Sequence, residues 1–251
     1  MRIGSFGYDV HGEGPPLLLL HGFSFDRTLW DDNIAALASH ARVIRLDFRG
    51  VGESPLASFS IDDLADDAAR LLDLLGVPMA YVAGLSMGGY AALAFAARHA
   101  VRLSGLILAD TRAGADSVEV KRKRDAGIAQ IRHQGPEAYA TAVLPRLLSS
   151  LAPTEMRERA LRMSIQAPES MIAALTAMRE RPDRQSDLKN ICCPALIVVG
   201  SEDVITPPDE AAAMARAIPG AELVTIAGAG HLSNLEAPDE FNRALIDFVV
   251  R

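Results

Sequence analysis

Ala80-Tyr81-Val82-Ala83-Gly84-Leu85-Ser86-Met87-Gly88-Gly89-Tyr90 begins as an apolar strand, passes through the pattern G-x-S-x-G and runs into an Ala-rich helix reaching His99. Strand, tight turn and helix in that order form a nucleophile elbow, in which the central serine takes a strained backbone conformation. Gly84 and Gly88 suit it, because side chains there would collide with the neighbouring strand and helix. The turn holds the Ser86 hydroxyl clear of the backbone and aims a helix start at whatever that hydroxyl attacks. G-x-S-x-G also fits ordinary turns, so its meaning depends on what the rest of the chain supplies.

Outward from the elbow, short apolar runs at 3–10, 16–20, 42–47, 80–83, 105–109, 195–199 and 222–226 read as strands. Several are nearly continuous, as in parallel strands covered on both faces. Helical patterns lie between them. In 60–75, Ile61, Leu64, Ala68, Leu71, Leu72 and Leu75 share a face, with Ser60 as N-cap, Asp62 and Asp63 in the first turn, and Gly76 as the stop. In 238–249, Phe241, Ala244, Leu245, Phe248 and Val249 form one stripe. The alternation predicts an α/β fold with a mostly parallel central sheet and helices on both faces. It breaks over 112–189, where four helical stretches (117–133, 136–149, 153–166 and 168–181) replace strands. We therefore expect a core of 1–111 and 190–251 with a four-helix cap of 112–189 inserted between two strands. That cap would lie over the carboxyl ends of the strands, where open α/β sheets place their sites.

Composition narrows the function. The 251 residues are 49% hydrophobic, enough for a large core. A net charge of −7 argues against nucleic-acid binding. No signal peptide is legible and the run 17–20 is far too short to span a bilayer, so a cytoplasmic protein with no membrane partner is expected. The only cysteines, Cys192 and Cys193, are adjacent and read as core residues. Lys121 to Arg124 reads as a solvated helix face; the lesser alternative is that an arginine of the insertion reaches the site and pairs with an anionic substrate. No apolar stripe can be assigned to a partner copy.

A serine hydroxyl needs a base to become a nucleophile near neutral pH, and histidine is the usual one. His231, in Gly228-Ala229-Gly230-His231 after the last predicted strand, falls on the same rim as Ser86. The imidazole in turn needs a carboxylate. Asp203, in the turn after 195–199, gives the order Ser86, Asp203, His231; Asp110 at the end of an earlier strand is the alternative, and Glu202 a neighbour expected to point elsewhere. The amides of Met87 and Phe23 are candidate oxyanion donors. His21 is expected to be structural. The side chains of Phe23, Met87, Phe25 and Trp30 are candidates for lining the substrate pocket, with core packing the alternative for Trp30.

With these pieces in place the chain resembles the α/β-hydrolase superfamily over essentially its whole length. His21-Gly22-Phe23, Asp47-Phe48-Arg49-Gly50-Val51-Gly52-Glu53-Ser54, the elbow, the turn at 200–203 and the His231 loop carry the resemblance. It implies structural roles for Asp47 and Arg49, which would brace loops under the site. It is nearest in character to small bacterial carboxylesterases and enol-lactone hydrolases with a helical cap. One departure stands out: a single N-terminal strand where the family often has two. The expectation is a carboxylesterase working through an acyl-enzyme on a small-molecule ester or lactone, without cofactor or metal. Lactone hydrolysis, carbon–carbon bond hydrolysis and a slow-turnover sensor remain as alternatives. An aspartate would be needed at position 86 for dehalogenase or epoxide-hydrolase chemistry.

Overall fold

The computed structural model describes residues 2–3 and 6–251, with side chains described from Phe6 onward. Eight strands form one sheet: β1 (Arg2–Ile3), β2 (Phe6–His11), β3 (Pro16–Leu20), β4 (Arg42–Leu46), β5 (Ala80–Leu85), β6 (Leu103–Ala109), β7 (Ala195–Gly200) and β8 (Glu222–Ile226), in the spatial order β1-β2-β4-β3-β5-β6-β7-β8. β1 with β2 and β2 with β4 are antiparallel; every other neighbouring pair is parallel. The expected mostly parallel α/β architecture is therefore present.

The N-terminus corrects two expectations. The single strand 3–10 is two strands, with Ile3 opposite Phe6 across an antiparallel pair. The family's two N-terminal strands are thus both present. The sequence cue was Gly4-Ser5, a dipeptide typical of two-residue hairpin turns that itself lies outside the described residues.

Ten helices among the described residues complete the fold: α1 (Asp31–Leu37), α2 (Ile61–Leu74), α3 (Met87–Arg98), α4 (Val118–Gln134), α5 (Pro136–Val143), α6 (Thr154–Ser164), α7 (Pro168–Arg179), α8 (Pro208–Ala217), α9 (Ser233–Glu236) and α10 (Pro238–Val249). Successive strand residues point to opposite faces, and β3 shows the consequence. Leu18 and Leu20 join one core layer with residues of α2 and α3, whereas Leu17 and Leu19 join the other with residues of α1 and α10. All four leucines are fully buried, which is why the run carries no polar alternation. Each contributes roughly 1.5–3 kcal/mol by leaving water.

Helix ends follow the expected chemistry. Ser60 caps α2 in a full capping box with Asp63, and Gly76 follows at φ +65°. Within the insertion, the predicted helix 136–149 stops at Val143 and continues only as a short 3-10 turn, Leu144–Arg146, that includes Pro145. Proline has no N–H to donate and clashes with the preceding turn. The expected core placement is corrected for Cys192, which is exposed; Cys193 is half-buried and packs against one core layer, and both are free thiols. They sit in the loop just before β7, ahead of the buried stretch that opens at Ala195.

Candidate active site

Parallel strands that start on one edge end on the opposite one, so the segments after β3, β5, β6, β7 and β8 gather on a single rim. Ser86 stands at the end of β5 with φ +55° and ψ −113°, a conformation in which few side-chain-bearing residues are found. The surroundings hold it there. Its amide donates to the Ala109 carbonyl at 2.9 Å, and its carbonyl accepts the Thr111 hydroxyl at 2.8 Å. A Cβ at Gly84 would lie 2.1 Å from the Gly88 carbonyl oxygen, and one at Gly88 would lie 2.1 Å from that of Leu20. Both glycines are thus required by close backbone approach.

The loop after β8 brings His231 to this serine. His231 Nε2 lies 2.8 Å from Ser86 Oγ, and Nδ1 lies 2.8 Å from Asp203 Oδ2. Asp203 also receives the Ile205 and Thr206 amides on Oδ1, at 2.8 and 3.0 Å, and the Thr206 hydroxyl on Oδ2 at 2.7 Å. Burial opposes ionisation of Asp203. The charge and hydrogen bond of His231, together with Thr206, outweigh it and hold the carboxyl below the usual range. Sequence reasoning missed Thr206; its only cue was a hydroxyl residue three positions beyond the candidate acid.

Neither rival carboxylate makes a hydrogen bond to His231. Glu202 is exposed. Asp110, fully buried at φ +44°, accepts the Gly200 amide at 2.9 Å and the Ser233 hydroxyl at 2.5 Å. It ties the ends of β6 and β7 to α9 and makes no hydrogen bond to His231.

Met87 opens α3, so its amide has no acceptor within the helix. Among the described residues the Phe23 amide donates to no protein group. His21 fixes the loop carrying Phe23. Its Nδ1 lies 2.9 Å from the Gly22 carbonyl and its Nε2 accepts the Phe48 amide at 3.0 Å. A ring that accepts at Nε2 and is pushed by burial toward the neutral form is a fixed tautomer, consistent with a structural part. Asp47 braces the adjoining turn by accepting the Arg27 and Glu53 amides and the Arg27 guanidinium, while Arg49 grips Asp67 of α2 through both Nε and Nη2.

Ser86 and His231 open onto a cavity of about 350 Å³ between the rim and the insertion. Phe23 lines it, but three other pocket candidates do not. Trp30 is fully buried in the core with its ring 6.0 Å from that of Phe241. Phe25 and Met87 are buried against a separate void of about 10 Å³. The pocket assignment of Phe25 and Trp30 is therefore corrected: the rim loop turns these rings into the core, where they bury large apolar surface. The reading of Lys121 to Arg124 as a solvated face holds for Arg122 and Lys123, which are exposed; Arg124 is half-buried, and it and Lys123 line the cavity. Arg112, Tyr90, Tyr139 and Arg146 also line it and had not been singled out. Among the described residues no group of three or more His, Cys, Asp and Glu is placed to hold a metal ion, and no helix is long and apolar enough to cross a membrane.

Comparison with known proteins agrees with the fold. Residues 17–244 match the model of the alpha/beta hydrolase family. A thermophilic esterase from Thermogutta terrifontis, solved with malate bound, superposes with a TM-score of 0.92 at 40% identity, covering 96% of this chain and 92% of that one. The enol-lactonase of Burkholderia xenovorans LB400 superposes with a TM-score of 0.91 at 31% identity, covering 98% and 96%. A protein of Caulobacter sp. (strain K31) named for a proposed carbamate hydrolase activity, RutD, is 30% identical across 96% of this chain and 94% of its own length.

Proposed function

The chain belongs to the alpha/beta hydrolase family, and from that premise we propose that it is a carboxylic ester hydrolase working through a Ser86–His231–Asp203 triad and an acyl-enzyme. The observation that carries this reading is the unbroken run from Ser86 Oγ through His231 to Asp203, two contacts of 2.8 Å each. His231 Nε2 takes the proton as Ser86 Oγ bonds to the ester carbonyl carbon. The carbonyl oxygen becomes an oxyanion held by the Phe23 and Met87 amides. Asp203 fixes the imidazole tautomer and balances its charge. The carbon–oxygen bond to the alcohol then breaks and His231 returns the proton to the leaving alkoxide. Water, deprotonated by the same nitrogen, attacks the acyl-enzyme; the acid departs and Ser86 regains its proton. The insertion 112–189 serves as a cap over the reacting carbonyl.

A lactone would follow the same steps, with acid and alcohol remaining in one product. The enol-lactonase neighbour, at 31% identity and a TM-score of 0.91, favours this as the second reading. The test is hydrolysis of p-nitrophenyl esters of rising acyl length by wild type and Ser86→Ala. Turnover that falls by about 10³-fold or more in the variant is expected. Retention of wild-type rates in Ser86→Ala would remove the nucleophile and with it the proposal.

A further inference from the structure

Among the described residues, the cavity beside Ser86 is lined by cations and by no carboxylate. Arg112 reaches it from the loop after β6, Lys123 and Arg124 from α4, and Arg146 from the turn after α5. The whole chain carries a net charge of −7, so the sign inside the cavity opposes that of the molecule. Three of the four cations have counter-ions outside the lining: Arg112 with Glu210 at 3.2 Å, Lys123 with Glu119 at 2.7 Å and Arg124 with Asp116 at 3.0 Å. Arg146 forms no ion pair among the described residues. Its charge and that of Arg124 both act on the phenol of Tyr139, itself a lining residue.

We propose that this cavity takes substrates carrying a carboxylate, with Arg146 as the principal anchor and Lys123 reinforcing the field, so that the preferred ester or lactone is an anionic one. The inference rests on the hydrolase reading of the same cavity. A guanidinium fork matches the two oxygens of a carboxylate. A cation without a protein partner is the one whose charge is left for a ligand. Arg146 and Lys123 are both exposed, so their pull on an anion acts partly through solvent and falls with added salt. At about 350 Å³ the cavity is at the small end of ligand sites, which suits a short chain between anion and scissile carbonyl.

Methyl hydrogen adipate and methyl hexanoate share a six-carbon acyl chain and differ in the terminal carboxylate. In a pH-stat, wild type is expected to favour the adipate hemiester by about tenfold or more in kcat/KM. Arg146→Gln should cut that preference about tenfold, mainly through KM for the hemiester, and Arg146→Lys should restore most of it. A merely structural role for Arg146 would lower both rates together and leave their ratio in place. Equal kcat/KM for the two esters in wild type, or a ratio unmoved by both Arg146→Gln and Lys123→Gln, overturns the anionic preference while the hydrolase reading stands. Turnover of both esters by Ser86→Ala at wild-type rates overturns the hydrolase reading itself. Binding is read separately by titration calorimetry of methyl hydrogen adipate into Ser86→Ala protein. Affinity about tenfold weaker in the double variant Ser86→Ala/Arg146→Gln supports the anchor; no binding, or equal binding, overturns it.

Discussion

Two buried aspartates stand on the same rim in opposite circumstances. Asp203 accepts from two amides, a hydroxyl and an imidazole, and its charged form is the favoured one. On the proposed mechanism, Asp203→Asn leaves His231 without a counter-charge and free to take the wrong tautomer, so kcat should fall by about 10³–10⁴-fold with KM little changed. A loss under about tenfold in ester hydrolysis would assign the acid elsewhere. Burial instead pushes Asp110 up to about 7, against the pull of His231, Ser233 and the Gly200 amide. Its folded pKa thus lies above the unfolded value of 3.8, and between these pH values the folded state keeps a proton that the unfolded chain has lost. Stability from this group is full below the unfolded pKa and declines as pH rises to the folded one, by at most about 4 kcal/mol, with no further change above it. Asp110→Asn keeps an acceptor for Gly200 and removes the titration. Urea unfolding at pH 5 and pH 8 should therefore show a smaller fall in ΔG for the variant than for wild type. Parallel behaviour of the two proteins would show that Asp110 is ionised throughout.

Elements governed by local chemistry were legible in the sequence. Ser60 with Asp63 marks the start of α2, and Phe241, Leu245, Phe248 and Val249 mark the buried stripe of α10. The elements set by long-range contacts were harder to read. Helix α4 has charge around most of its circumference, so its pattern could not show that Arg124 is half-buried against the cavity while Lys123, which also lines it, stays largely in solvent. The reason lies at Asp116, whose carboxylate is fully buried and paired with Arg124 on α4 at 3.0 Å and with Arg181 beyond α7 at 2.6 Å. Arg181 in turn lies over the Tyr90 ring, 4.0 Å from its centroid, on helix α3. One anion thus fixes the roll of α4, the exit of α7 and their seat on the core. Removing it strands two guanidiniums, of which Arg181 is almost wholly buried. Asp116→Ala should cost about 3 kcal/mol, readable as a lowered urea midpoint, and should raise amide exchange along α4. A loss below about 1 kcal/mol would mean that the cluster is held by other contacts.

At the scale of the whole molecule, the sequence order Ser86, Asp203, His231 already placed three residues on one rim, because each follows a parallel strand. The same logic said nothing of how the insertion seats, since no strand dictates the direction of its helices. Its anchors are scattered hydrogen bonds and ion pairs to residues distant in sequence. The Ser24 hydroxyl donates to the Ser164 carbonyl and the Ser170 hydroxyl to that of Gly50, each at 2.6 Å. Arg159 reaches Asp32 and Arg184 reaches Asp62, and the Leu232 amide beside His231 donates to the Leu147 carbonyl at 3.1 Å. That last bond joins the loop carrying the candidate base to the insertion. With Leu147, Leu148, Ala160, Met171 and Leu175 buried in core layers shared with the sheet, the insertion lacks a core of its own. It should therefore unfold with the sheet in one transition, although chains of this length often unfold in stages. Trp30, the single tryptophan, is fully buried beside Phe241 and reports the core; far-UV circular dichroism reports all ten helices. Coincident urea midpoints from the two signals are expected. Loss of helical signal ahead of the tryptophan signal would instead mark the insertion as a separately melting lid, held on the core more loosely than its hydrogen bonds imply.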